Sequence, residues 1–210
     1  MNKKILLNFP NAVTFFRIVL VFIAVYFLFS KNAELYLYSA MLIFVLILFD
    51  WLDGIVARCL NSSNEFGNVI DIVGDRIVEN VLWIAFAFIH SVPIWVPFVV
   101  ITRGFITDGF RSYALSKGKT AFGKKTMMKG NIGIFFVSSR FSRALYGIAK
   151  TITFILLALH LYSKSMNQAN AEFLGMAAFG FVLFTVAFCV IRGIFVVYDS
   201  FMLFRTEKVQ

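Results

Sequence analysis

The chain has 210 residues, 60% of them hydrophobic and only 15% charged, against roughly 45–50% apolar usage in soluble domains. With 27 phenylalanines and a mean hydropathy of +0.83, this excludes an ordinary soluble domain and a disordered chain. At about 20 residues per crossing, it leaves room for roughly six membrane helices in a single membrane-embedded domain over residues 1–210. The formal charge of +9, from 20 Lys+Arg against 11 Asp+Glu, is partitioned between segments, which argues against nucleic acid as a partner.

Long apolar runs predict an all-α fold with helices near 12–30, 35–58, 67–90, 92–115, 143–163 and 171–203. Ahead of the first, Lys3 and Lys4 could open a secretory signal, but Pro10, Asn11 and Arg17 interrupt the apolar run and cleavage is not expected. Pro10 suits a helix start, flanked by asparagines that can cap it. Arg17 falls inside the first span, where it can snorkel to the interface or reach a substrate phosphate.

The second span ends Phe49-Asp50-Trp51-Leu52-Asp53-Gly54-Ile55-Val56-Ala57-Arg58. A short polar turn, Asn61-Ser62-Ser63-Asn64, leads to the third, which begins Gly67-Asn68-Val69-Ile70-Asp71-Ile72-Val73-Gly74-Asp75. Arg103 and Arg111 lie in the fourth span, Lys150 in the fifth and Arg192 in the sixth, while Leu115–Ser142 carries Lys117, Lys119, Lys124, Lys125 and Lys129. Cys59 and Cys189 fit no metal or disulfide pattern. His90 and His160 read as interfacial residues.

Six spans place both termini on one side, together with Lys3, Lys4, Arg58, Arg205, Lys208 and the basic stretch from Arg111 to Arg143. The short connections Lys31–Glu34, His90–Pro93 and Lys164–Asn170 share the other. By the positive-inside rule the basic side is cytoplasmic. Its lysines set topology and attract anionic headgroups, and the same surface can gather anionic substrates.

Carboxylates within apolar spans are expensive and mark functional sites. Asp50, Asp53 and Ala57 share one helical face, being spaced i, i+3, i+7. Gly67, Asp71, Asp75 and Glu79 step by four and form a second stripe. On sequential antiparallel spans the two stripes can face each other. So many acids in a small volume must either take up protons or hold cations. An all-oxygen ligand set without histidine favours Mg²⁺ or Mn²⁺. Gly54 and Gly67 leave room for a bulky anionic substrate to approach the backbone, Gly74 suits close helix packing, and Arg58 can meet a phosphate.

The pattern Asp50-x2-Asp53-Gly54-x2-Ala57-Arg58-x8-Gly67-x3-Asp71-x3-Asp75 resembles the full signature of the CDP-alcohol phosphatidyltransferase family, eight fixed positions in a 26-residue window. The resemblance implies six transmembrane helices, a cytoplasm-facing intramembrane site and a homodimer. It implies that Asp50, Asp53, Asp71 and Asp75 bind two Mg²⁺ or Mn²⁺ ions, and that Asp75 is also the general base. Gly54, Ala57, Arg58 and Gly67 would hold the CDP-lipid, CDP-diacylglycerol or a relative. The activity implied is transfer of a phosphatidyl group to a small alcohol with release of CMP.

The stretch Pro10-Asn11-x2-Thr14-x2-Arg17 is similar to the start of the phosphatidylglycerophosphate synthase branch. Arg103, Arg111 and Lys150 fall near basic positions of that branch and suit an acceptor that carries a phosphate. Gly104 and Gly147-Ile148-Ala149-Lys150-Thr151 depart from its pattern. Glycerol 3-phosphate is therefore the expected acceptor, with inositol phosphate, serine or another alcohol as alternatives. A cation- or proton-coupled transporter using the same acids is the alternative from another class. It would need acids reachable from both sides, whereas Asp50, Asp53, Asp71, Asp75, Glu79 and Asp108 all belong to one half.

Overall fold

The computed structural model describes residues 3–59, 65–116, 118 and 133–207, with side chains over 13–49, 69–116, 118, 133–139 and 141–202. Among them no strand occurs. The elements are α1 (Lys3–Phe29), α2 (Ala33–Cys59), α3 (Glu65–Phe88), α4 (Trp95–Ser116), α5 (Arg140–Ser165) and α6 (Ala171–Glu207), with a π-helical turn at Ile134–Ser138 just before α5.

All six expected helices are present, and the largest difference is at the first. It begins at Lys3 rather than near residue 12, so Pro10 lies within the helix instead of opening it. A proline there removes one ladder hydrogen bond, which the turns on either side tolerate. The polar residues before Val13 dilute the apolar signal without stopping the helix.

The short connections are tight caps. Asn32 Oδ1 accepts the Glu34 N–H at 2.9 Å and starts α2. At the end of α3, His90 has φ 56°, its N–H reaches Ala87 O at 3.0 Å and the Ser91 N–H reaches Phe86 O at 2.9 Å. Asn167, φ 50°, ends α5 in the same way, through Asn167 N–H to Lys164 O at 3.2 Å and Gln168 N–H to Ser163 O at 2.9 Å. Both are Schellman-type ends that place a non-glycine residue in the left-handed position. His90 is thus a capping residue. His160 ties two helices together: its Nδ1 donates to Ala171 O at 2.9 Å, and its ring lies where a Cβ on Gly175 would fall, 2.8 Å from Cε1.

The chain divides into two compact units, residues 1–94 with 151–179, and residues 95–150 with 180–210. In the first, α1 packs on both α2 and α3. Its buried core includes Val21, Ala24 and Leu28 of α1, Ile43 and Leu46 of α2, Trp83 and Phe86 of α3, and Leu157 and Ala158 of α5. Phe154 receives the Trp83 ring edge-on at 4.7 Å and stacks on Phe86 at 5.9 Å. In the second unit, Ala114, Val137 and Val196 form a buried cluster against Phe110 and Phe195.

Large apolar side chains face outward on every helix whose side chains are described: Phe15, Phe44, Phe88, Phe105, Phe141 and Phe173 are all exposed. Such faces suit lipid rather than water. Phe141–Ser165 and Ala171–Met202 are long and apolar enough to cross a membrane, and Val13–Phe29 and Ala33–Phe49 are shorter apolar stretches.

Candidate active site

In the first unit the acidic residues of α3 meet α1. Arg17 is buried, 4% exposed. Its Nη2 donates to Asp75 Oδ1 at 2.9 Å and its Nη1 lies 3.6 Å from Asp71 Oδ1. Asp71 and Asp75 sit one turn apart, so a single cation can bridge them. Their side chains remain about half exposed, 52% and 46%, and can take further partners.

The close approach of α1 and α3 has an identifiable cause. A Cβ added to Gly74 would lie 2.4 Å from Thr14 Cγ2, a distance at which two carbons cannot coexist. Glycine at 74 lets the buried Thr14 sit against α3, and Arg17, one turn along α1, then arrives over Asp71 and Asp75. Thr14 and Arg17 of the N-terminal motif therefore both have partners on α3. Glu79, the fourth member of the stripe, differs: it is 4% exposed and pairs with Arg76 at 3.6 Å. It belongs to the packing of α3 rather than to its accessible face.

Asp50, Asp53, Gly54, Ala57 and Arg58 of α2, and Gly67 of α3, lie on helical backbone, but their side chains fall outside those described. The turn 61–64 and the lysines at 117, 119, 124, 125 and 129 also lie outside the described residues. Among described residues no three His, Cys, Asp or Glu side chains gather as a metal set. Asp71 and Asp75 fit a hard divalent ion in two respects, being all-oxygen donors and already converging on one cation.

The second unit holds a basic cluster around one ring. Tyr146 is buried, with Lys150 Nζ at 5.1 Å, Arg192 Cζ at 5.4 Å and Arg103 Cζ at 5.7 Å from its ring centroid. Each is within cation–π range. Arg103 Nε donates to Cys189 O at 3.1 Å, and a Cβ on Gly193 would fall 2.7 Å from Arg103 Cγ. The seat for Arg103 is thus a carbonyl and a glycine one turn apart on α6. Arg192, 5% exposed, donates from Nη1 to Ser142 O at 2.9 Å, while its Nε has no hydrogen-bond partner among the described residues.

Of the expected acceptor residues, Arg103 and Lys150 come together at Tyr146. Arg111 pairs along its own helix with Asp108 at 3.5 Å. Tyr146 went unread in the sequence, although its i, i+4 spacing from Lys150 was a usable signal. Gly193 was unread as well. Beside Arg103, an open apolar crevice of about 490 Å³ is lined by Ile106, Ile194, Val197 and Phe201 among others.

These features define a helical protein with lipid-compatible outer faces, paired acids on one unit and clustered cations on the other, chemistry suited to phosphate-bearing substrates. The chain belongs to the CDP-alcohol phosphatidyltransferase family, whose model matches residues 7–167. It is similar to the CDP-diacylglycerol–glycerol-3-phosphate 3-phosphatidyltransferase of Wigglesworthia glossinidia brevipalpis, 36% identical over 54% of this chain and 63% of that protein. The enzyme of the same name from Aquifex aeolicus is 37% identical over 34% of this chain and 38% of that protein. A Mycobacterium tuberculosis protein named as a candidate cardiolipin synthase is 31% identical over 58% of this chain and 57% of that protein. In each case the match spans less than two thirds of the relative.

Proposed function

We propose that the protein is a phospholipid-synthesising enzyme that transfers a phosphatidyl group from CDP-diacylglycerol, or a related CDP-lipid, to a small alcohol, with glycerol 3-phosphate as the preferred acceptor. The observation that carries this reading is the complete eight-residue signature, Asp50 to Asp75, inside the family match at residues 7–167. The acceptor oxygen attacks the phosphorus that bears the diacylglycerol. The bond from that phosphorus to the CMP oxygen breaks, CMP leaves with the bonding pair, and Asp75 takes the hydroxyl proton. Asp50, Asp53, Asp71 and Asp75 would hold two Mg²⁺ or Mn²⁺ ions. When bound, these ions polarise the phosphoryl group and neutralise the departing charge.

Gly54, Ala57, Arg58 and Gly67 take the CDP moiety. Arg103 and Lys150, with Arg111, take the acceptor phosphate. The gathering of Arg103, Lys150 and Arg192 around Tyr146 supports a phosphorylated acceptor, because three like charges in one place are best offset by an anion. In this reading residues 1–210 act as one membrane domain of six spans, with site and termini on the cytoplasmic side, working as a homodimer.

A second reading keeps the chemistry and changes the acceptor. The cardiolipin synthase name of the mycobacterial relative favours it, and inositol phosphate or serine would fall in the same group. A cation-coupled transporter is the reading from another class. The test is CMP release by purified protein in detergent with Mn²⁺ or Mg²⁺, CDP-diacylglycerol and a panel of alcohols. Release with glycerol 3-phosphate far above the others supports the proposal, release with another alcohol reassigns the acceptor, and no release with any of them refutes the enzyme.

A further inference from the structure

Arg17 is a charge that the proposed chemistry does not use. It is buried, donates to Asp75 Oδ1 at 2.9 Å and lies 3.6 Å from Asp71 Oδ1. It is fixed there by the Thr14–Gly74 contact, which leaves no space for even one added carbon. A desolvated guanidinium held in this way is a strong local field. Its partners are two of the four carboxylates assigned above to divalent ions.

We propose that Arg17 is a resident counterion of the carboxylate site that competes with divalent cations for Asp75 and Asp71. The inference rests on the reading of these aspartates as metal ligands. A carboxylate oxygen that accepts a short charge-assisted hydrogen bond is a poorer donor to a metal, and a fixed positive charge a few ångströms away repels an incoming one. Before ions bind, Arg17 keeps two like-charged side chains together on one face of α3. As ions bind, it yields its hold on Asp75 Oδ1. Two other roles make different predictions. A mere tie between α1 and α3 would support the ligand geometry, so its loss would weaken ion binding. A contact to the substrate phosphate would alter the KM for the CDP-lipid and leave ion binding unchanged.

The experiment is a titration of the full chain in detergent with Mn²⁺ alone, following free Mn²⁺ by electron paramagnetic resonance, for wild type, Arg17→Gln and Arg17→Lys. Removing one charge at this range in a partly buried site should tighten Mn²⁺ binding about tenfold in Arg17→Gln. Arg17→Lys, a point charge that reaches one carboxylate rather than both, should bind about threefold tighter than wild type. Thermal unfolding in EDTA should occur at lower temperature for Arg17→Gln, and the rise on adding Mn²⁺ should exceed that of wild type. If Arg17→Gln unfolds in EDTA, Arg17→Lys carries the comparison. Unchanged or weaker Mn²⁺ binding in the variants overturns the proposal while leaving the enzyme reading intact. A wild type that binds no Mn²⁺ overturns the metal assignment, and this inference with it.

Discussion

The acidic site on α1 and α3 and the basic cluster on α4, α5 and α6 solve opposite electrostatic problems by different means. The acids are neighbours in sequence: Asp71 and Asp75 share a face because they are one turn apart, and one buried arginine spans both. The cations come from three helices, and Arg103 bonds a carbonyl 86 residues away. They are held by a ring, two backbone carbonyls and a glycine. Like charges on one helix need only a counterion. Like charges from three helices need a scaffold that first brings the helices together and then tolerates them. The acidic site should therefore fail through its own side chains, and the basic one through its neighbours.

The largest effect expected is on the acidic side. Asp75→Asn removes the proposed base and a ligand, and CMP release should fall by roughly 10²–10⁴-fold with folding retained. Glu79→Gln, one further turn along the same stripe, is the contrast. Its buried carboxylate faces Arg76, so the change should lower stability by about 1–3 kcal/mol and leave kcat nearly unaltered. A collapse of kcat in Glu79→Gln at a temperature where the protein is folded would show that the whole stripe is catalytic.

Next comes the helix contact that serves the acids. Gly74→Ala places a methyl group 2.4 Å from Cγ2 of the buried Thr14, which gives way only by changing its χ1 rotamer or by shifting α1. A loss of about 1–3 kcal/mol is expected from overpacking, together with a weakened Arg17–Asp75 pair. Thr14→Ser removes that methyl, and the double variant should recover most of the loss in thermal unfolding. Failure to recover would mean that the spacing of α1 and α3 is not set at this point.

How much of this was readable in advance follows from the same contrast. The helices could be found because apolar runs of this length leave few alternatives, and the stripe Asp71, Asp75 follows from helical periodicity alone. Arg17 was visible as a buried charge, but its partner lies 58 residues away, and no local pattern reports which helices touch. Arg192 to Ser142, 50 residues apart, is hidden for the same reason. The turns at His90 and Asn167 were read only as short connections, because a left-handed cap is usually betrayed by glycine and neither site has one.

On the basic side the ring is the place to intervene. Tyr146→Leu keeps a sizeable apolar side chain, though a smaller one, and removes the π face shared by Arg103, Lys150 and Arg192. At about 1 kcal/mol for such contacts, the KM for a phosphorylated acceptor should rise several-fold, with the KM for the CDP-lipid unchanged. Tyr146→Phe should behave as wild type if the ring rather than the hydroxyl matters. Equal rises in both KM values would place Tyr146 in general packing.

The smallest expected effect sets the two glycine contacts against each other. Gly193→Ala meets Arg103 Cγ at 2.7 Å, nominally almost as severe as the clash at Gly74. Arg103 Cγ and Thr14 Cγ2 each sit one bond from their own Cβ and move only by rotation about χ1, but Thr14 is buried whereas Arg103 is only partly buried, so a change of rotamer at Arg103 meets fewer neighbours. Arg103 can swing away at the cost of its bond to Cys189 O. Gly193→Ala should therefore lower stability by less than about 1 kcal/mol and shift acceptor KM roughly two- to threefold, consistent with loss of a single hydrogen bond. A stability loss matching that of Gly74→Ala would show that the arginine is held as rigidly as the threonine, and that the basic cluster is as much a part of the packing as the acidic one.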